Sequence, residues 1–339
     1  MESNESKLWD AQEKANAYSF LGVPAVIASP AMREVMRFVE KIAPTNASVL
    51  ITGESGSGKE VVARAIHEYS ARSGKPWIDI NCAALPDHLL ESELFGYEKG
   101  AFSGADSAKP GMFELANDGI LFLDEIGELN LRSQSKLLRV LDGWPHYRLG
   151  GTRKVDVSVR VVAATNAELE KDVRAGKFRA DLFHRLNQVR ITVPPLRDRV
   201  DDIGPLARLF LNQERAGLEI SSEAVEALRQ YPWPGNVREL RSLMALVAVM
   251  ATGSRIALED LPPVFHSREV ETTHEQRYSL NRLEQEVILD ALAQTAGRRD
   301  RAAEMLGISR RTLIRKLKVY GVRSARAHAC GATDRMERS

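Results

Sequence analysis

Between Ser48 and Pro194 the chain alternates short β-branched runs with longer segments whose apolar residues recur every three or four positions. The runs are Ser48-Val-Leu-Ile-Thr52, Trp77-Ile-Asp-Ile80, Ile120-Leu-Phe-Leu123, Val159-Arg-Val-Val-Ala163 and Gln188-Val-Arg-Ile-Thr-Val193. Apolar strands interleaved with helices predict a parallel sheet with crossover helices, an α/β fold. From about Leu196 to Leu261 the pattern turns wholly helical, and Val225, Leu228, Leu240, Leu243, Leu246 and Val247 are expected to face inward. This stretch reads as a small helical lid.

A Pro-Pro pair, two histidines and little apolar content mark residues 263–279 as a linker. Beyond it, Leu280, Leu283, Val287, Ile288 and Leu292 form a stripe at helical spacing, followed by a helical run to Leu306, Gly307 and a last helix over Ser309–Tyr320. A glycine turn between two short helices predicts an all-α helix-turn-helix unit over 280–322. Ser309 is placed to cap its last helix. Leu313 and Leu317 would face inward, leaving Arg310, Arg311, Thr312, Arg315, Lys316 and Lys318 toward solvent. The remaining segments are an extension over 1–23, an α/β part over 24–195, the lid over 196–262 and a tail over 323–339.

Composition sharpens this division. The 339 residues carry a net charge of only +1, yet from Ala291 onward twelve Lys and Arg face four Asp and Glu. A basic end on an acidic body points to a polyanionic partner, and double-stranded DNA suits the helix-turn-helix. No run of 18 apolar residues occurs, and residues 1–16 lack an apolar signal core, so a soluble, cytoplasmic protein without membrane contact is expected. Cys82 and Cys330, far apart and without neighbouring metal-type spacing, read as free thiols.

Directly after the first strand comes Gly53-Glu54-Ser55-Gly56-Ser57-Gly58-Lys59, then a helix starting near Glu60. Strand, glycine-rich loop and helix in that order form a phosphate cradle, in which Lys59 reaches the outer phosphates of ATP. Glu60 stands where Ser or Thr usually helps hold Mg2+, so the ion must lean on other ligands. The apolar strand ending in Asp124-Glu125 supplies them: Asp124 lies near the metal, through water, while Glu125 polarises the attacking water. Two further strand ends carry Asn166, placed to orient that water or sense the γ-phosphate, and Asn81, placed to hold Glu125.

Three motifs in order, Gly53-Glu-Ser-Gly-Ser-Gly-Lys-Glu60, Gly100-Ala101-Phe102-Ser103-Gly104-Ala105 and Trp233-Pro-Gly-Asn-Val-Arg-Glu-Leu240, resemble those of bacterial sigma-54-dependent transcription activators. The likeness covers roughly Pro24 to Pro262, and the last unit resembles the Fis-type domain that ends many of them. It implies an AAA+ ATPase motor, a Phe102 loop that contacts sigma-54 RNA polymerase, and a sensor arginine at Arg238. It also implies arginine fingers at Arg179 and Arg185 acting across a subunit boundary in a ring-shaped hexamer, built from this chain alone or with a related one. The family has Thr where this chain has Ser103. With its short N-terminus the chain resembles the short activators that are controlled by separate proteins or by expression. A nucleotide-regulated repressor would not need the Phe102 loop, and an unfoldase or helicase would not need the terminal helix-turn-helix.

Overall fold

A computed structural model describes residues 17–266 and, further along, residues 288, 291, 292, 295, 298–306 and 309–319. The chain divides into two compact units, Met1–Arg268 and Glu269–Ser339. Strands β1 (Ala17–Phe20) and β2 (Val23–Val26) form an antiparallel hairpin. The expected boundary between residues 23 and 24 falls inside this hairpin, and Phe20, 2% exposed, belongs to the main core. Its aromatic ring meets Tyr69 edge-on, so the motor is sealed at its amino end by a residue the sequence placed in an extension.

The centre of the larger unit is a five-stranded parallel sheet made of β3 (Val49–Thr52), β4 (Trp77–Asn81), β5 (Ile120–Asp124), β8 (Arg160–Thr165) and β9 (Val189–Thr192). Their order is β4-β5-β8-β3-β9. Because side chains alternate across a strand, each run feeds two cores. Val49, Ile51, Ile120, Phe122, Val162 and Ala164 pack on one face under the helices Pro30–Ile42 and Lys59–Glu68. Leu50, Leu121, Leu123, Val161 and Ala163 pack on the other with Leu94, Phe95, Leu137 and Leu186. Parallel pairing brings the carboxyl ends of β3, β5 and β8 to one edge, where the candidate residues gather. A short antiparallel ribbon, β6 (His146–Tyr147) with β7 (Lys154–Val155), was not evident in the sequence pattern.

The lid consists of helices Ile203–Glu214, Ser222–Gln230 and Asn236–Met250 around the fully buried Trp233, whose indole donates to the Leu228 carbonyl at 2.8 Å. It is not wholly helical: β10 (Glu219–Ile220) and β11 (Arg255–Ile256) pair in parallel. Val225, Leu228, Leu240 and Val247 are buried as expected and Leu243 is half-buried, but Leu246 is 51% exposed. Met244 takes the inward place instead, because the buried stripe runs 240, 244, 247, 248 along the helix. The Phe265 ring packs, tilted, against Tyr231 at 5.0 Å and Trp233 at 5.9 Å, so the lid continues into the expected linker.

In the carboxyl-terminal unit, helices Arg299–Met305 and Arg310–Val319 pack through Ala302, Ala303, Leu313 and Leu317, with Ile288 and Ala291 against them. Leu280, Leu283, Val287, Gly307, the Lys318 side chain, Cys330 and residues 323–339 lie outside the described residues. Among the described residues no helix is long and apolar enough to cross a membrane.

Candidate active site

The phosphate loop leaves β3 at Gly53, whose N–H donates to the Thr165 carbonyl at 3.3 Å, and enters its helix through Gly58 in the left-handed region. Gly56 also has positive φ, and a Cβ there would meet the Gly235 carbonyl at 2.5 Å. Only glycine allows the lid backbone so close. Lys59 is buried, its ammonium donating to the Gly53 and Glu54 carbonyls at 3.0 and 3.4 Å, with Glu125 Oε1 3.6 Å away. A lysine whose ammonium is held by the loop's own carbonyls and by Glu125 is in place to exchange those partners for phosphate oxygens. Glu60 is turned along its helix to Arg64, at 2.6 Å.

At the end of β5, Glu125 adopts φ 51° and ψ 51°, a left-handed backbone in a non-glycine residue. Such a conformation costs about 1–3 kcal/mol and is kept where surrounding bonds dictate it. Here the Glu125 N–H donates to Asp124 Oδ1 at 3.1 Å, and Glu125 Oε2 accepts from the Asn166 backbone N–H at 3.1 Å. The main chain of Asn166, rather than its amide side chain, thus orients the candidate base. Asn81 is placed differently from expectation: its Nδ2 donates to Asp124 Oδ2 at 3.2 Å, not to Glu125, because β4 pairs Asn81 directly with Asp124. Burial, then the neighbouring Glu125 charge, raises the Asp124 carboxyl above its ordinary pKa. A half-buried acid disfavoured as an anion is suited to a cation that restores the balance. Among the described residues no cluster of three or more His, Cys, Asp or Glu forms a metal cage.

The lid reaches the same loop. Arg238 Nη1 donates to Ser55 Oγ at 2.8 Å, and the Val237 N–H donates to the Gly56 carbonyl at 3.0 Å. Asn236, fully buried with φ 53°, donates to Glu54 Oε2 and to the Ser55 carbonyl while accepting from the Leu196 N–H. Glu239 fixes the turn before it by accepting from the Gly235 N–H at 2.8 Å and the Tyr231 hydroxyl at 3.2 Å. Two arginines that the sequence reading missed complete the set: Arg197 pairs with Glu54, and the buried Arg199 donates to the Ser57 carbonyl. The local signal is slight, an Arg-Asp-Arg run just after the last strand, since their partners lie more than a hundred residues away.

Arg179 and Arg185 are not brought to this site. Arg179 pairs with Asp181 and donates to Ser135 Oγ, while Arg185 donates to the Leu141 carbonyl and pairs with Asp142. Both are held, part-exposed, beside the helix Leu131–Leu141.

The segment Gly100–Ala105 is a turn closed by Gly100 N–H to the Ala105 carbonyl at 2.8 Å, with positive φ at Gly100 and Gly104. Phe102 is 43% exposed and meets Tyr97 edge-on at 5.0 Å. Tyr97 exchanges backbone bonds with Lys109, and Arg148 from β6–β7 grips Glu114 at 2.8 and 2.7 Å and Glu98 at 3.2 Å. Ser103 and Gly104 are exposed at the tip. The base is therefore fixed and the tip free.

In the separate carboxyl-terminal unit, Arg310, Arg311 and Arg315 are exposed on one helix, and Arg310 pairs with Asp300 at 2.9 Å. Ser309 caps that helix by accepting from the Thr312 N–H at 3.1 Å. Thr312 and Lys316 are half-buried rather than fully turned to solvent, since they lie beside the Leu313–Leu317 stripe.

Comparison with known proteins agrees with this layout. Residues 25–192 match the sigma-54 interaction domain, residues 197–278 the AAA+ ATPase lid domain, and residues 279–320 the Fis family of bacterial regulatory proteins. Regulatory protein AtoC of Escherichia coli (strain K12) is 47% identical over 308 residues, 87% of this chain and 67% of that protein. Transcriptional regulatory protein ZraR of the same strain is 45% identical over 314 residues, 91% and 71% of the two chains. The crystal structure of NtrX from Brucella abortus in complex with ATP matches with a TM-score of 0.66 at 35% identity, covering 94% of this chain and 73% of that one. With a phosphate loop, an acid-tipped strand, a gripping lid and a helix-turn-helix all in place, the chain belongs to the sigma-54-dependent transcriptional activators, AAA+ ATPases with a Fis-type DNA-binding unit.

Proposed function

We propose that this chain binds upstream DNA through its terminal unit and hydrolyses ATP to drive the Phe102 loop against sigma-54 RNA polymerase, converting a closed promoter complex into an open one. The observation that carries the reading is Glu125, held between Lys59 at 3.6 Å and the Asn166 N–H at 3.1 Å beside the phosphate loop. In that position its carboxylate accepts a proton from the water attacking the γ-phosphate. Lys59 and the backbone of the glycine-rich loop hold the phosphates, and Arg238 approaches them from the lid. Asn81 positions Asp124, the residue that would help hold Mg2+, and the ion would supply charge neutralisation to the phosphates.

Arg179 and Arg185, supported away from their own chain's phosphate loop, serve as fingers for a neighbour's site, which makes hydrolysis depend on a hexameric ring. Gly100, Ala101, Ser103, Gly104 and Ala105 let the Phe102 tip change shape while Arg148 anchors its base. Arg310, Arg311, Thr312, Arg315 and Lys316 meet DNA phosphates and base edges. The protein acts in the cytoplasm under a separate regulatory protein; full, partner-insensitive activity of the isolated chain in extracts would refute that control.

The test is conversion of sigma-54 holoenzyme on a sigma-54 promoter into a heparin-resistant open complex by purified chain plus ATP. Activity that disappears in both Phe102→Ala and Glu125→Ala supports the reading. ATP hydrolysis without any open complex, even with the regulatory partner supplied, favours a repressor.

A further inference from the structure

The phosphate loop carries an acid where it must receive a polyanion. Glu54 is the second residue of Gly53–Lys59, and an unbalanced carboxylate there opposes a triphosphate by charge. The lid balances it. Arg197, in the first turn of the lid at Leu196–Asp198, donates from Nη1 and Nη2 to the two Glu54 oxygens at 2.9 and 2.6 Å. Asn236 Nδ2 adds a third bond at 3.0 Å, and the guanidinium holds the Glu54 carboxyl below its ordinary pKa. The clasp therefore persists as pH falls to the ordinary carboxylate range. Glu54 begins a run in which each loop residue is hydrogen-bonded to the lid: Ser55 to Asn236 and Arg238, Gly56 to Val237, Ser57 to Arg199. The lid thus grips four consecutive residues just ahead of Gly58 and Lys59.

Of the three lid arginines that reach the loop, Arg199 is occupied by the Ser57 carbonyl, and the other two differ in what they face. Arg238 donates to a neutral hydroxyl and brings an added positive charge, whereas Arg197 is matched to a carboxylate. Glu54 and Arg197 are 42% and 44% exposed, and an ion pair of that exposure contributes little to folding. Its effect falls on the ligand instead. We propose that the Arg197–Glu54 pair is a charge-neutralising clasp between lid and phosphate loop, and that Arg197 is a positioning residue that makes the loop receptive to a nucleoside triphosphate. The proposal rests on reading Gly53–Lys59 as the ATP site.

The test is equilibrium binding of ATP to the full chain, by calorimetry without Mg2+, for the wild type, Arg197→Ala, Glu54→Gln and the double variant, with thermal unfolding of each. Arg197→Ala should weaken binding about tenfold by exposing the Glu54 charge, and higher salt should narrow the gap. Adding Glu54→Gln to Arg197→Ala should then recover about fivefold, because the charge to be neutralised is gone. Arg197→Lys, which keeps the charge and loses the two-pronged geometry, should fall between. A double variant that binds as weakly as Arg197→Ala, or an Arg197→Ala chain that binds like wild type, overturns the clasp. A wild-type chain that binds no ATP overturns the nucleotide reading and the clasp with it.

Discussion

The acid end of β5 and the Phe102 loop are both short, both depend on positive φ, and are held in opposite ways. Both Asp124 oxygens and Glu125 Oε2 accept hydrogen bonds from neighbouring strand ends or the Glu125 backbone, and Glu125 Oε1 faces the Lys59 ammonium at 3.6 Å. The loop is rooted through Tyr97, Lys109 and Arg148 and closed by its own backbone bonds from Gly100 and Ala105, while the part-exposed Phe102 rests on Tyr97 and the side of the turn at Ser103 and Gly104 stands in solvent. Chemistry on a phosphate requires atoms placed within a few tenths of an ångström before the ligand arrives. A tip that must move against a partner requires the opposite, a firm root and a loosely held end.

Substitutions on either side should separate these tasks. The largest effect belongs to Glu125→Gln, which should lower ATP hydrolysis by about a hundredfold or more while ATP still binds, read by phosphate release beside calorimetry. Equal loss of binding would mean that Glu125 shapes the pocket rather than the chemistry. Phe102→Ala should reverse the pattern, lowering open-complex yield at least about tenfold while hydrolysis changes far less. At the root of the loop, Arg148→Ala should cost about 1–3 kcal/mol in denaturant unfolding by leaving Glu114, 16% exposed, without its two charged bonds. The smallest effect is on Asp124. Its pKa is raised in the fold, so stability falls as pH rises from the ordinary carboxylate range through the raised value and stays lower at neutral pH. Asp124→Asn should therefore raise the melting temperature of the Mg2+-free chain by a few degrees at pH 7, with the gain fading toward pH 4.

Much of the motor was legible because its signals are local. A β-branched run, a glycine loop and a lysine follow one another from Val49 to Lys59, and an apolar run ends in two acids at Glu125. The lid's hold on the phosphate loop was not legible beyond Arg238, since Arg197 and Asn236 find Glu54 only after the chain has folded back over 143 and 182 positions. Short elements escaped for another reason: two-residue strands such as His146–Tyr147 and Glu219–Ile220 have no room to show a period. Leu246 shows the limit of apolar spacing. Hydrophobicity marks it as core, and its position between Met244 and Val247 on a 3.6-residue turn leaves it outside.

The strand order also bears on how the protein is made. β3 pairs with β8 on one edge and β9 on the other, and with neither β4 nor β5. Residues 49–52 leave the ribosome first, yet the nearer of their partners, residues 160–165, follows more than a hundred positions later. Throughout that interval an apolar strand with two open edges is joined to a phosphate loop that does not yet have Glu125 held beside it. Such a nascent segment is an aggregation hazard and a natural client for chaperones that bind extended apolar chain. The same delay means that a truncated chain ending before Thr165 carries the phosphate-binding sequence without the sheet that gives it shape, so premature termination should yield no partial ATPase.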